Sequence, residues 1–267
     1  MDTEITLALA QLGESTGRLL ATADALTDAQ AAALSRLPGW TRGHVLTHLA
    51  RNADGFRNLL TWAGTGNETP MYPSEEARAR DVEEGAGRSA AKIAADLQVS
   101  AAALAAAAQG LPAPAWDALV ARRGVRFPAR EIPSRRLAEL EIHHVDLDAG
   151  YRPADWPASF VAANLVRVAR DFAGRADAPA LLACPDGLDA VYPIGPVAPD
   201  PASPDPADPD PADLDPASTG LGRTDRASQV TVSGPPAALL AWLIGRGNGA
   251  GLEVTGADAV PVLPPWR

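Results

Sequence analysis

This 267-residue chain contains very little cysteine, lysine or net positive charge. Its one cysteine, Cys184, excludes an internal disulfide framework and fits a reducing compartment. Because Cys184 ends the apolar run Leu181-Leu-Ala-Cys, we interpret it as a buried structural thiol rather than a nucleophile. Lys92 is the only lysine, and the formal net charge is −10. Since phosphate binding needs a basic surface, this charge argues against a nucleic-acid partner.

Two further absences concern the compartment. The amino-terminal Met1-Asp-Thr-Glu has no basic region leading into an apolar core, so we predict no signal peptide. No apolar run approaches the ~20 residues that a membrane-spanning helix needs. We therefore expect a soluble, cytoplasmic protein.

The composition of the chain changes near Tyr151. Before it, Ala and Leu recur at helical spacing, and after it prolines and short apolar runs predominate. We predict a helical domain over residues 1–151 and a small α+β domain over residues 152–267. A tract of Pro, Asp and Ala near residues 196–218 has almost nothing to bury and is expected to be a disordered insertion.

Four long helices are predicted in the first part, beginning near Ile5, Thr41, Ser89 and Ser134. Ser134, which follows Pro133, is the expected N-cap of the fourth helix, and Gly150 its stop signal. Four such helices suit a bundle whose sites are built from facing side chains. The second part predicts helices at 158–172 and 237–244 and strands at 180–183, 190–192, 229–233 and 252–255.

All four histidines fall in two helical clusters. His44 and His48 stand at i, i+4 near the start of the second long helix. On the fourth, Glu139 lies one turn before His143, so the two side chains share a face that Asp146 joins a turn later. Such a pair is commonly a solvated surface pair. Histidine and carboxylate are also the usual ligands of zinc and of non-haem iron, so two clusters favour a shared metal site.

Two motifs resemble those of the mycothiol-dependent maleylpyruvate isomerase family. They are Gly39-Trp-Thr-Arg-Gly-His-Val-Leu-Thr-His-Leu-Ala50 and Glu139-Leu-Glu-Ile-His-His-Val-Asp-Leu147, and the likeness extends to Trp242-Leu-Ile-Gly-Arg-Gly. The resemblance covers nearly the whole chain and implies a DinB-like four-helix bundle followed by a small α+β domain. The Pro/Asp/Ala tract departs from the family pattern.

The resemblance also implies a set of site residues. A divalent metal, usually zinc in the family, would be held by His48, Glu139 and His143. Arg246 matches the family's carboxyl-domain arginine that reaches the active site, which implies a catalytic and cofactor-binding role. We place His44 in the pocket as a second catalytic candidate, and Asn52, which continues the face of His48, in the cofactor site.

Several alternatives stay open at this stage. Glu141 and His144, at i, i+3, form a competing ligand pair. Asp146 either accepts a hydrogen bond from a ligand histidine or forms a cap or a salt bridge at the helix end. Arg246 is either a binding residue or a solvated cation at the carboxyl end of a helix, and His44 is either a pocket or a packing residue.

The implied activity is isomerisation of maleylpyruvate to fumarylpyruvate, with mycothiol as the thiol cosubstrate. A metal-bound thiol is deprotonated at neutral pH, so its thiolate can add to the cis double bond. Rotation and expulsion of the thiolate then give the trans product, while Arg246 binds a carboxylate or the developing oxyanion. The alternatives are a mycothiol S-transferase acting on an electrophile, a non-catalytic metal or small-ligand binding protein and, with iron, an oxygenase.

Overall fold

A computed structural model of the chain describes residues 2–196 and 230–266. The chain divides into two compact units, Met1–Arg152 and Pro153–Arg267. Apart from Pro196, the predicted insertion near residues 196–218 lies outside the described residues.

The first unit is a helical bundle, as predicted. Its long helices are α1 (Thr3–Asp24), α3 (Arg42–Thr65), α5 (Ala90–Gly110) and α6 (Ile132–Asp146), and its shorter ones are α2 (Asp28–Ala32) and α4 (Glu75–Ala86). Helix α3 is central, because it packs against α4, α5 and α6, while α1 packs against α5 and α6.

Apolar stripes at helical spacing build the core of this unit. One cluster gathers around Phe56, Leu59 and Trp116, and a second around Leu49, Leu97 and their neighbours on α1 and α6. Each such side chain contributes about 1.5–3 kcal/mol when it is fully buried, so the two clusters hold the long helices in fixed relative positions.

The helix boundaries follow local capping chemistry. Thr27 and Gln30 form a capping box at the start of α2. The predicted start of α6 was wrong, because this helix begins at Ile132 with Pro133 in its first turn, where a missing N–H costs nothing. Ser134 instead donates its hydroxyl hydrogen bond to the carbonyl of Glu131 (2.9 Å).

A β-hairpin between α5 and α6 was not predicted. Strands β1 (Leu119–Arg122) and β2 (Val125–Pro128) pair antiparallel across a two-residue turn. Arg123 and Gly124 in the turn have φ angles of 49° and 78°, as a type I′ turn requires. The hairpin contacts α3, and Arg122 at the end of β1 donates a hydrogen bond to Glu139 of α6.

Helix α5 bears on the prediction that no segment of the chain is long and apolar enough to span a membrane. By length and composition alone it could cross a membrane, contrary to the expectation that no apolar run approached that length. In the structure α5 packs along α3 and α1, as the core helix of a bundle does.

The second unit has the predicted α+β composition. Helices α7 (Ala158–Phe172) and α8 (Pro236–Leu243) accompany a sheet of order β4-β3-β5-β6. Its strands are β3 (Leu181–Pro185), β4 (Tyr192–Ile194), β5 (Thr231–Gly234) and β6 (Glu253–Thr255), of which β3 and β5 are parallel. Cys184 in β3 is partly exposed, so the prediction of a buried thiol was wrong.

Candidate metal centre

The structure brings three predicted ligands together in the first unit. His48 comes from α3, and Glu139 and His143 come from successive turns of α6. One potential ligand atom from each residue lies within 4.8 Å of the other two. Glu139 Oε2 is 3.2 Å from Nε2 of His48 and 3.5 Å from Nε2 of His143. The two imidazoles therefore converge on one carboxylate oxygen.

Burial divides the three side chains into one enclosed and two accessible groups. The His48 side chain is 4% exposed, whereas those of Glu139 and His143 are 19% and 18% exposed. Trp40 lies against His48, with 5.7 Å between the ring centroids. The cluster is thus closed on the His48 side and can be reached from solvent on the α6 side.

The pKa values of the three groups follow from this environment. Burial lowers the pKa of His48 to about 4, so its imidazole is neutral near pH 7. Burial opposes ionisation of Glu139, but hydrogen bonds from His143 and His48 hold the pKa of Glu139 well below its usual value. Burial also opposes protonation of His143, yet Asp146 and Glu139 raise the pKa of His143. The ionised carboxylate of Glu139 therefore lies between a neutral His48 and a His143 that holds its proton more strongly than usual.

Asp146 contacts His143, as the first of its two predicted roles requires, and the same contact is an ion pair when His143 is protonated. Its Oδ2 lies 2.9 Å from Nδ1 of His143, and the carboxylate is almost wholly buried. A carboxylate behind a histidine fixes the ring orientation and leaves Nε2 free to face a ligand.

Two arginines that were not predicted complete the surroundings of the cluster. Arg78 of α4 donates to Nδ1 of His48 (3.0 Å), and Arg122 of the hairpin donates to Oε1 of Glu139 (3.4 Å). In sequence, Arg78 lies in an alternating run, Ala77-Arg-Ala-Arg80, that carries no ligand signal. Only the folded bundle places these cations beside the site.

Small residues allow α4 to approach α3 closely enough for Arg78 to reach His48. A Cβ on Gly43 would lie 2.5 Å from the carbonyl oxygen of Ala86, and a Cβ on Gly85 would lie 2.4 Å from Cγ2 of Thr47. Both distances are far shorter than van der Waals contact, so the two glycines set the separation of the helices.

His44 and Asn52 occupy other positions in the first unit. Nδ1 of His44 accepts from the backbone N–H of Thr41 (3.2 Å), and Nε2 lies 3.2 Å from Glu83, so this imidazole caps α3. Asn52 is fully buried and accepts a hydrogen bond from Arg136 (2.7 Å). The catalytic role of His44 and the cofactor role of Asn52 stay predictions.

The competing pair of Glu141 and His144 faces α1 instead of the cluster. Glu141 accepts hydrogen bonds from Ser15, Arg18 and Tyr151. His144 lies 2.8 Å from the hydroxyl of Thr22 and stacks on Tyr151. Both groups thus join helix α6 to α1, and neither belongs to the group of three.

Arg246 lies in the second unit, directly after α8. It donates to the carbonyl of Ile244 (3.1 Å) and lines a cavity of about 460 Å³ together with Trp242, Asn248 and Trp266. Its role toward a substrate stays a prediction.

The donor set fits a divalent metal. Two imidazoles and one carboxylate match the ligands of catalytic zinc sites, which keep a further position open for a small molecule. The guanidinium groups of Arg78 and Arg122 add positive charge against His48 and Glu139. Such an arrangement can bind a cation and, beside it, an anionic small molecule.

Comparisons with known proteins agree across both units. A family model described as the mycothiol maleylpyruvate isomerase N-terminal domain matches residues 12–148, and the corresponding C-terminal domain model matches residues 155–263. The crystal structure of a mycothiol-dependent maleylpyruvate isomerase is similar to this chain with a TM-score of 0.82, 26% identity and full coverage of both chains. A histidine-to-alanine mutant of that enzyme matches with the same TM-score and coverage at 25% identity. No curated protein matched the sequence.

Proposed function

The chain belongs to the mycothiol maleylpyruvate isomerase family, and from this premise we propose that it is a metal- and mycothiol-dependent enzyme that isomerises maleylpyruvate, or a related cis-dienoic keto acid, to the trans product. One observation carries the proposal. The described residues hold a cluster of two imidazoles and a carboxylate with two guanidinium groups against it.

His48, Glu139 and His143 would hold the metal, with zinc as the ion best matched to this donor set. When bound, the metal would supply the charge that keeps a thiol deprotonated, and mycothiol would supply the nucleophile for reversible addition to the cis double bond. Asp146 would keep the His143 ring in the orientation that presents Nε2.

The arginines give the site its preference for an anion. A keto diacid carries two carboxylates, and each planar guanidinium can donate two parallel hydrogen bonds to one of them. Arg78 and Arg122 stand on the α4 and hairpin sides of the cluster and would hold one carboxylate. Arg246 is proposed for the second carboxylate or the enolate oxygen that develops during addition.

An assay of purified, zinc-loaded protein with mycothiol and maleylpyruvate tests the proposal. We expect fumarylpyruvate to accumulate while the mycothiol concentration stays constant. The variant His143→Ala should lose activity, whereas His144→Ala, changed at the adjacent position outside the cluster, should retain most of it. Absence of product from the metal-loaded wild type would refute the isomerase proposal.

The same assay separates the alternative reactions. An S-transferase would consume mycothiol and form a conjugate with an electrophile, whereas an isomerase returns the thiol. A binding protein would take up zinc tightly and turn over neither substrate. Metal analysis of protein purified without added metal distinguishes zinc from iron, and thereby thiol chemistry from an oxygenase.

A further inference from the structure

A cavity lies in the first unit, between helices α1 and α5. Its volume is about 400 Å³, and the residues that line it are mostly apolar, with Leu12, Leu60, Leu104 and Ile132 among them. None of the three proposed metal ligands lines it. We refer to this cavity as the α1/α5 groove.

The wall of the groove contains a buried cation. Arg136 of α6 is 1% exposed, and its one hydrogen bond within the described chain runs from Nη1 to the amide oxygen of Asn52. A guanidinium carries five N–H donors, and no carboxylate forms an ion pair with this one among the described residues. Burial lowers the pKa of Arg136 to about 10, so it is charged at neutral pH. The charges of Glu139 and Asp54 favour the protonated form of Arg136, but neither carboxylate accepts a hydrogen bond from it. A buried guanidinium whose N–H donors lack acceptors is unfavourable.

A second donor on the same wall also lacks an acceptor. Trp116 lines the groove and is 1% exposed, and its Nε1 is buried without a hydrogen-bond partner in the described part of the chain. Buried donors in folded proteins are nearly always paired. The groove thus combines an apolar lining with two polar groups that need an acceptor, preferably an anionic one.

The nearest acidic side chain on α6 does not meet this need. Glu139, one turn after Arg136, is already engaged by His48 and Arg122. A metal held by Glu139 would draw its charge further from Arg136. A carboxylate in the groove would supply Arg136 with the anionic acceptor that Glu139 does not provide.

We propose that the α1/α5 groove binds a monocarboxylate with an apolar body, such as a medium-chain fatty acid. The carboxylate pairs with Arg136, and the apolar body lies along the leucines toward the mouth of the groove. Exposed small residues, Gly13, Ala102 and Ala105, leave that mouth open. The volume lies within the 300–1,000 Å³ that is usual for small-molecule sites.

Calorimetric titration of the full chain with decanoate, decanol and decylamine at pH 7.5 tests the proposal. We expect decanoate to bind at least tenfold more tightly than either of the other two, because only decanoate supplies an anion. In Arg136→Met the difference between decanoate and decanol should vanish. Decanoate that fails to bind up to its solubility limit, or that binds no better than decanol, would overturn the proposal.

Two variants at exposed neighbouring positions of α5 remain informative if Arg136→Met does not fold. Ala105→Phe places a ring in the mouth of the groove, whereas Ala106→Phe changes an exposed neighbour that does not line it. We expect the first to weaken decanoate binding at least tenfold and the second to leave it unchanged. Equal binding by both variants, or loss of decanoate binding when zinc is removed, would place the carboxylate elsewhere and contradict the proposal.

Discussion

At the scale of single residues, the proton on His48 decides how the site accepts a metal. Arg78 donates to Nδ1, so the neutral ring carries its proton on Nε2 and donates it to Glu139. A metal at Nε2 needs the other tautomer, whose proton is on Nδ1, where Arg78 now donates. Metal binding should therefore release Arg78 from His48 and free its guanidinium for a substrate carboxylate.

The variant Arg78→Met should bind zinc about tenfold more tightly than the wild type, because one charge-assisted hydrogen bond and one nearby cation no longer oppose the metal. Isomerase activity should fall at the same time. Arg80→Met, at an exposed position of the same helix, is the matched control. Competition with a chromophoric chelator measures the affinity, and unchanged or weaker zinc binding in Arg78→Met would show that Arg78 does not compete.

The raised pKa of His143 predicts how the affinity for a metal depends on pH. Because Asp146 and Glu139 raise the pKa of His143, the imidazolium form persists above its ordinary pKa of about 6.5 and excludes a metal. Zinc affinity should thus fall as the pH drops through the raised pKa. The stability of the metal-free protein depends on pH in the opposite direction. The contribution of protonated His143 to the free energy of unfolding is complete below its ordinary pKa and is lost as the pH rises through the raised pKa.

The variant Asp146→Asn tests whether the carboxylate of Asp146 sets the pH dependence and the strength of zinc binding. Loss of the carboxylate should move the midpoint of the zinc-affinity profile to lower pH and weaken zinc binding by about 10–100-fold at pH 8. Titrations from pH 5.5 to 8.5 give both values. A profile identical to that of the wild type would mean that Asp146 has no influence on the ligand.

Helical spacing could indicate that Glu139 and His143 share a face, but the choice of this pair over Glu141 and His144 came from the family resemblance. The sequence could not indicate Arg78 or Arg122. Their contacts join a short helix and a hairpin to residues far away in the chain, and arginine supplies nearly all the positive charge of this protein, so its position carries no signal.

At the scale of secondary-structure elements, the close approach of α3 and α4 gives a stability prediction. Gly43→Ala should cost about 1–3 kcal/mol, because its Cβ would overlap the Ala86 carbonyl and force the helices apart. Gly17→Ala, where nothing lies within 4 Å, should stabilise α1 by about 0.5–1 kcal/mol. Denaturant unfolding measures both, and a neutral Gly43→Ala would indicate that α4 adjusts without strain.

Periodicity and capping residues predicted most of the helices, because the apolar stripes of α1, α3 and α5 are long and regular. The β1–β2 hairpin was missed for a local reason. Its turn is Arg123-Gly124 and not the usual Asn-Gly or Asp-Gly. Arginine rarely adopts a positive φ, so its presence at this position did not predict a type I′ turn. The early start of α6 was missed because Pro133 was taken as a residue before the helix instead of one in its first turn.

At the scale of the whole molecule, the charge distribution bears on substrate attraction. A chain with a net charge of −10 repels anions at long range, and this repulsion is screened within about 8–10 Å at physiological ionic strength. Attraction of the proposed substrate, a keto diacid, must then come from the cations at the site itself. High salt should therefore weaken substrate binding less than it would in a protein that relies on a broad basic surface.

The metal itself should stabilise the native fold, since its ligands come from two helices that separate on unfolding. Zinc at about 100 times its dissociation constant should add about 2.7 kcal/mol, which corresponds to roughly 5–10 °C in Tm for a protein of this size. Thermal unfolding with and without a chelator measures the shift. Glu139→Gln should lose it, because the amide no longer offers an anionic ligand between the two imidazoles. An equal zinc-dependent shift in Glu139→Gln and the wild type would mean that the ion binds at some other place.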